Sequence, residues 1–361
     1  METAETAAIP IAYETCAKLP SVPQAVRDEI LVADASPRAH RERMASLAVF
    51  GMVEVQPPPK PGTDLGGTAR IAFWNSERGR HPDLSADLMK RSGADVFLLG
   101  ELDIGMARTD QRHTARDLAA RLDHGYAYGV EYLELGLGDR HEQRELAGLR
   151  NSEGLHGAAI LAPVTLRRPA LLRLEADGDW FNGDRGERRI GGRIAVLATI
   201  ALGRGELVLA SVHLESHTNP EHRARQMRVL LDGVEMYAAG LPVVIGGDFN
   251  SKSIPRDDAQ DPETFARHMR EAPERLVDPV PFEPLFDVAA AAGYDWRRSN
   301  APGVTTRVWR TDKKDQSTSK LDWMFTRGVE VSHPAIHAAV DCTGRAVSDH
   351  DLLAVTITPQ G

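Results

Sequence analysis

Cysteine is almost absent: Cys16 and Cys342 are the only two in 361 residues. That is too few for a disulfide scaffold, and a chain this long buries roughly three quarters of its unfolded surface without one. Long apolar runs are missing as well. The longest, Ile194 to Leu202, has about nine residues against the ~20 that a bilayer-spanning helix needs. The opening Met1-Glu2-Thr3-Ala4-Glu5 has no basic segment leading into an apolar core, so no secretory signal is expected and the expected location is cytoplasmic. Aromatic residues are scarce at 6%, and positive charge is in deficit, with 43 Lys and Arg against 52 Asp and Glu for a net charge of −9. An acidic chain repels polyanions at long range, which disfavours broad coating of nucleic acid but leaves room for a local basic groove.

What remains is an ordinary globular composition, 42% apolar and 26% charged. Residues 1–66 read as a helical N-terminal extension. Gln24 to Val32 has apolar residues at helical spacing, and Ser36-Pro37 opens a second helix with Ser36 as N-cap and Pro37 in the first turn. Pro57-Pro58-Pro59-Lys60-Pro61-Gly62 is a stiff linker that loosens at Gly66-Gly67, so the main unit is expected over 67–361. From Ala69 onward the pattern changes. Short β-branched runs recur at Ala69–Trp74, Val96–Leu99, Ala158–Leu161, Ile194–Leu202, Leu207–Leu214, Val243–Ile245, Leu321–Phe325 and Leu352–Ile357. Helical stretches at Asp83–Arg91, Thr109–Leu122 and Pro220–Tyr237 alternate with them, which predicts α/β layering.

The chemistry sits at the strand ends. Asn75 closes the first run, Glu101 the second, His213 follows Val212, and Gly246-Gly247-Asp248-Phe249-Asn250 follows Ile245. Asp322 opens a run, and Ser348-Asp349-His350 precedes the last. Polar groups at strand termini converge on one edge of a sheet. Asp, Glu and Asn are hard oxygen donors without the sulfur that selects zinc, so the set suits Mg2+ or Mn2+. Imidazoles beside them can move protons or contact phosphate, and the combination describes phosphate ester hydrolysis. Arg193, which begins the strand before His213, has the fork geometry to grip a phosphate, with a salt-bridged strand-end arginine as the alternative. Asp103, Arg108, His113 and His156 are further candidates for substrate contact, or else loop and helix-start residues. His141-Glu142-Gln143-Arg144-Glu145 lacks the second histidine of a zincin helix. Arg297, Arg298, Arg307, Arg310, Lys313, Lys314 and Lys320 crowd the stretch before Asp322, where a basic loop suits an anionic substrate.

Seven segments in order, Phe73-Trp74-Asn75, Leu99-Gly100-Glu101, Gly157-Ala158-Ala159-Ile160-Leu161, Val212-His213-Leu214, Gly247-Asp248-Phe249-Asn250, Leu321-Asp322-Trp323 and Ser348-Asp349-His350, resemble the endonuclease/exonuclease/phosphatase superfamily over about residues 69–359. The resemblance implies a four-layer α/β sandwich, two mixed β-sheets face to face with helices outside. It implies that Glu101, helped by Asn75 and Asp349, ligates one or two divalent ions. It implies that Asp248 orients or deprotonates the attacking water and that Asn250 holds that water or the phosphorane. His350, oriented by Asp322, would contact the phosphate, and His213 matches the position where deoxyribonuclease-like and sphingomyelinase-like members carry a leaving-group acid. Asn75, Arg193, Asn250 and His350 are the expected substrate contacts. The expected substrate is an anionic phosphate ester, most simply a phosphodiester. A lipid head group or small molecule is favoured over nucleic acid by the charge, and a non-catalytic module on the same fold is the third reading.

Overall fold

The computed structural model describes residues 11–62, 64–175, 177–184, 186–252, 254, 261–307 and 318–360. Six strands form one sheet in the order β1 (Ile11–Ala12), β8 (Arg167–Arg173), β10 (Ile194–Leu202), β11 (Gly205–His213), β12 (Val243–Asp248) and β13 (Asp322–Arg327). The other sheet runs β14 (Val329–His337), β15 (Leu352–Pro359), β4 (Ala69–Arg78), β5 (Val96–Ile104), β7 (Leu155–Ala162), β6 (Gly125–Glu134), β3 (Met52–Gln56) and β2 (Glu14–Cys16), with β9 (Arg189–Gly191) paired onto β6. Both sheets are mixed. β11/β12 and β4/β5 are parallel, whereas β10/β11, β12/β13 and β5/β7 are antiparallel.

The near-continuous apolar runs are explained by burial on both faces. Ile71, Phe73, Leu98, Ile160, Val196, Ile200, Leu209 and Val244 fill the space between the sheets. Their neighbours point outward. Trp74, Phe97 and Leu99 meet Leu88 and Met89 of α3 (Pro82–Ser92) and Leu118 of α4 (Thr114–Leu122). On the opposite side Leu197, Val208 and Ile245 meet Met227 and Leu230 of α6 (Pro220–Ala238) and Phe286 of α7 (Leu285–Ala291). The order is helices, sheet, sheet, helices, and each fully buried Leu, Ile, Val or Phe contributes ~1.5–3 kcal/mol. At Gly246 the sheets come so close that a Cβ would lie 2.7 Å from the Cβ of Phe73. Only glycine permits that approach, and it is made two residues before the strand end that carries Asp248.

The N-terminal segment contains its two helices, α1 (Gln24–Val32) and α2 (Pro37–Ser46), and the Ser36 hydroxyl accepts the Ala39 N–H as an N-cap should. It differs from expectation in also holding strands. β1 extends the six-stranded sheet, while β2 and β3 extend the other. The reason is the period-2 pattern of Met52-Val53-Glu54-Val55-Gln56, in which Val53 and Val55 join the inter-sheet core beside β6. An edge strand left bare would expose its unpaired backbone groups, and β3 covers that edge. Among the described residues no helix is long and apolar enough to cross a membrane. Arg310, Lys313 and Lys314 of the basic stretch lie outside the described residues.

Candidate active site

Strand register alone sets three of the expected residues in a row. His213 is paired with Asp248 across β11/β12, and Asp248 with Asp322 across β12/β13. The facing sheet supplies Asn75 and Glu101 from the ends of β4 and β5, where both strands slip register, between Asn75 and Arg78 and between Leu99 and Leu102. Glu101 lies in the left-handed region at φ 53°. Such irregularities re-aim side chains that a regular ladder would bury, and strained backbone of this kind gathers at functional sites.

The Asn75 amide links the two sheets at the site. Asn75 Nδ2 donates to Glu101 Oε1 and to Asp248 Oδ2, each at 3.1 Å. The loop before β15 is fastened to the same place. Ser348 Oγ donates to the Asn75 carbonyl at 2.9 Å and accepts the His350 N–H at 3.1 Å, while Trp74 Nε1 donates to the His350 carbonyl at 2.9 Å. His350 Nδ1 is thereby set 2.8 Å from Asp322 Oδ2, and its Nε2 lies 3.7 Å from Asp248 Oδ2. Burial alone would lower the His350 imidazole. The carboxylates of Asp322 and Asp248 more than reverse that and raise it well above the usual histidine range, so the ring is held as an imidazolium. Asn250, at φ 49°, closes a tight turn in which its N–H donates to Asp248 Oδ1 at 3.0 Å and its Nδ2 to the Leu214 carbonyl at 3.1 Å.

His213 occupies the other flank, its Nε2 3.8 Å from Asp248 Oδ2. Here the expectation for Arg193 needs correction. Its guanidinium is 2% exposed and its fork is already filled: Nη1 donates to Glu131 Oε1 at 2.6 Å, and Nε to Glu215 Oε2 at 3.0 Å. A guanidinium so buried requires carboxylate partners, and these two leave no open fork for a phosphate. Arg193 instead reaches the site through His213, with Nη1 3.1 Å from the ring nitrogens. Glu131, fully buried, sets Oε2 3.5 Å from His213 Nδ1 and was not foreseen. The signal was present. Tyr126, Tyr128, Val130 and Tyr132 alternate as one strand face, which turns Ala127, Gly129 and Glu131 toward the facing sheet.

Asp103, Arg108 and His156 form a closed internal network. Arg108 Nε donates to Asp103 Oδ2 at 2.8 Å and His156 Nδ1 lies 2.8 Å from Asp103 Oδ1, all three within the interior. His113 pairs with buried Glu54 at 2.8 Å. Glu142, in α5 (Arg140–Glu145), caps its own helix with Asp139 and pairs with Arg78, Arg80 and Arg108. Asp103, Arg108, His156 and Glu142 thus spend their charges on one another, while His113 and Glu54 line a separate cavity with Arg116 and Tyr126.

The donor set fits a hard divalent cation. Glu77, Glu101 and Asp349 crowd the end of β4 beside Asn75. Burial, then the charge of Asp349, push the Glu77 carboxyl up to about 8, and its Oε2 has no hydrogen-bond partner. Burial also raises Asp349, with Glu101 adding to the rise against the pull of His350. Buried like charges that raise one another are relieved by a bound cation, and oxygen donors select Mg2+, Mn2+ or Ca2+ over softer metals. A second grouping, Asp248, Asp322 and His350, brings ligand atoms within 4.8 Å of one another. There His350 Nδ1 is already hydrogen-bonded to Asp322 Oδ2.

The profile of the Endonuclease/Exonuclease/phosphatase family matches residues 72–350. No curated protein matches the chain. Among solved structures, an endonuclease/exonuclease/phosphatase from Beutenbergia cavernae DSM 12333 is 18% identical with a TM-score of 0.52, over 81% of this chain and 72% of that one. A family protein from Bacteroides thetaiotaomicron is 14% identical with a TM-score of 0.51, over 81% of this chain and 98% of its own. At such identities the neighbours speak for the fold, and the profile match together with the convergent strand ends speaks for the family. The chain belongs to the endonuclease/exonuclease/phosphatase family, and it is a hydrolase acting on phosphoric ester bonds.

Proposed function

We propose that the protein is a divalent-metal-dependent phosphodiesterase acting on a small-molecule or lipid-head-group phosphodiester. The observation that carries this reading is the Asn75 amide, which ties Glu101 on one sheet to Asp248 on the other between the two histidines. Asn75, Glu77, Glu101 and Asp349 would hold Mg2+ or Mn2+, which supplies positive charge against the negative charge that builds on the phosphoryl oxygens. Asp248 orients the attacking water and takes its proton. Its Oδ1 accepts the Asn250 N–H and its Oδ2 the Asn75 amide, which together fix the orientation of the carboxylate. Asn250 holds the same water or the developing phosphorane. His350 meets the scissile phosphate as a cation, with Asp322 fixing its Nδ1 and the ring orientation. His213 delivers a proton to the leaving oxygen. The net charge of −9 favours a compact substrate over a polyanion.

The test is release of nitrophenol from bis(p-nitrophenyl) phosphate with Mg2+ or Mn2+. Activity that EDTA removes, that metal restores and that Asp248→Ala abolishes supports the reading. No turnover with any divalent ion across phosphodiesters, monoesters and nucleic acids would leave a non-catalytic module. Nicking of plasmid with steep salt dependence, exceeding small-ester hydrolysis, would make it a nuclease instead.

A further inference from the structure

The N-terminal segment sits outside the matched residues, yet one of its side chains reaches the catalytic wall. His40, in α2, is fully buried. Its Nε2 lies 2.9 Å from the Gly191 carbonyl oxygen and 3.1 Å from the Gly191 nitrogen, so either tautomer grips this one residue. Gly191 has no freedom to answer with a side chain. It sits at φ 131°, and a Cβ would fall 2.0 Å from the Glu131 carbonyl oxygen. The next residue is stitched in the same way, Gly192 N–H donating to the Glu131 carbonyl at 3.0 Å and Arg173 Nη1 donating to the Gly192 carbonyl at 3.0 Å. Arg193 follows, and its side chain holds Glu131, Glu215 and His213 together.

The other face of the His40 ring supports the loop opposite. A Cβ at Gly178 would fall 2.7 Å from the ring, and Phe181 packs against it with centroids 5.5 Å apart. Between those two contacts Trp180 donates its Nε1 to Glu215 Oε2 at 3.0 Å, the same oxygen that accepts Arg193 Nε. One imidazole therefore sits against both walls of the Arg193–Glu215 pair that backs His213.

We infer that His40 is a positioning residue for the hydrolytic site, acting through the Gly191–Gly192 turn and the Trp180 loop to set Arg193 and His213, so that the N-terminal segment completes the catalytic wall. This rests on the phosphodiesterase reading above. Groups that orient catalytic residues typically contribute about tenfold to a hundredfold in rate.

The test compares His40→Phe, which keeps a ring but loses the polar contact, with His40→Gln, whose amide keeps it. Met44→Ala, in the same helix and partly buried against the core, controls for lost stability. Two readouts are taken on the full chain: the 15N–1H indole resonance of Trp180, and kcat and KM on bis(p-nitrophenyl) phosphate. His40→Phe should shift the Trp180 resonance and lower kcat about tenfold or more with KM little changed, and His40→Gln should restore both toward wild type. A wild-type resonance and kcat in His40→Phe would overturn the proposal. So would the same losses in Met44→Ala at an equal drop in Tm, or a failure of His40→Gln to restore either readout. If the wild type hydrolyses no ester, the phosphodiesterase reading fails, and the Trp180 resonance alone still decides whether His40 sets the wall.

Discussion

The two histidines of the site are held in opposite ways. His350 faces carboxylates alone, Asp322 at 2.8 Å and Asp248 at 3.7 Å, and sits on a loop pinned by Ser348 and Trp74. His213 faces a carboxylate and a guanidinium together, Glu131 at 3.5 Å and Arg193 at 3.1 Å, and sits on a regular strand. A ring surrounded by negative charge keeps its proton and suits a lasting contact with an anionic phosphate. The guanidinium of Arg193 beside His213 is what distinguishes the surroundings of the two rings. The shared element is Asp248, within 4 Å of both.

That contrast is broken first at its hub. Asp248→Ala should lower kcat/KM by about a thousandfold or more, since it removes the group proposed to orient the water and the common partner of both rings. His350→Gln should cost about a hundredfold to a thousandfold. Asp322→Asn should cost nearly as much, and the double variant little more than either alone, because the pair acts as a unit. His213→Gln sharpens the comparison through the leaving group. The loss should be under about tenfold for p-nitrophenyl esters, whose leaving oxygen needs no proton, and about a hundredfold for alkyl esters. His350→Gln should show no such dependence, and equal sensitivity in both variants would erase the division of labour. Glu131→Gln should reduce activity about tenfold and copy the leaving-group pattern of His213→Gln.

The smallest expected effect is on stability. Glu175 accepts the Arg193 N–H and is pushed from its ordinary 4.5 to about 7, first by burial and then by nearby Glu215. A carboxyl raised on folding costs nothing below about pH 4.5, where it is protonated in both states. As pH rises from about 4.5 to 7 the folded state loses stability, by at most about 3 kcal/mol, and above that the cost is constant. Glu175→Gln should flatten this part of the Tm-against-pH curve, measured by thermal unfolding.

The convergence of the candidate residues was legible because each closes or opens an apolar run, and a run that stops at a charged residue marks a sheet edge. The Ser36 cap was legible because capping is local. Glu131 was overlooked because the signal of β6 is an alternation of tyrosines and glycine, which is less conspicuous than the aliphatic runs of the other strands. The strands of the N-terminal segment were hidden because β2 and β3 are short, and they become strands by having an edge of β6 to pair with. Arg193 was ambiguous from sequence because one guanidinium suits a phosphate or a carboxylate equally, and only burial beside Glu131 and Glu215 decides between them.

The sequence by itself determined the layered α/β class, the edge on which the chemistry gathers and the hard-oxygen character of its ligands, because these follow from local periodicity and side-chain chemistry. Tertiary structure decided which charged groups neutralise one another and how residues before the proline-rich stretch join both sheets. Those outcomes depend on distances of a few ångströms between segments far apart in the chain, and no local pattern encodes them.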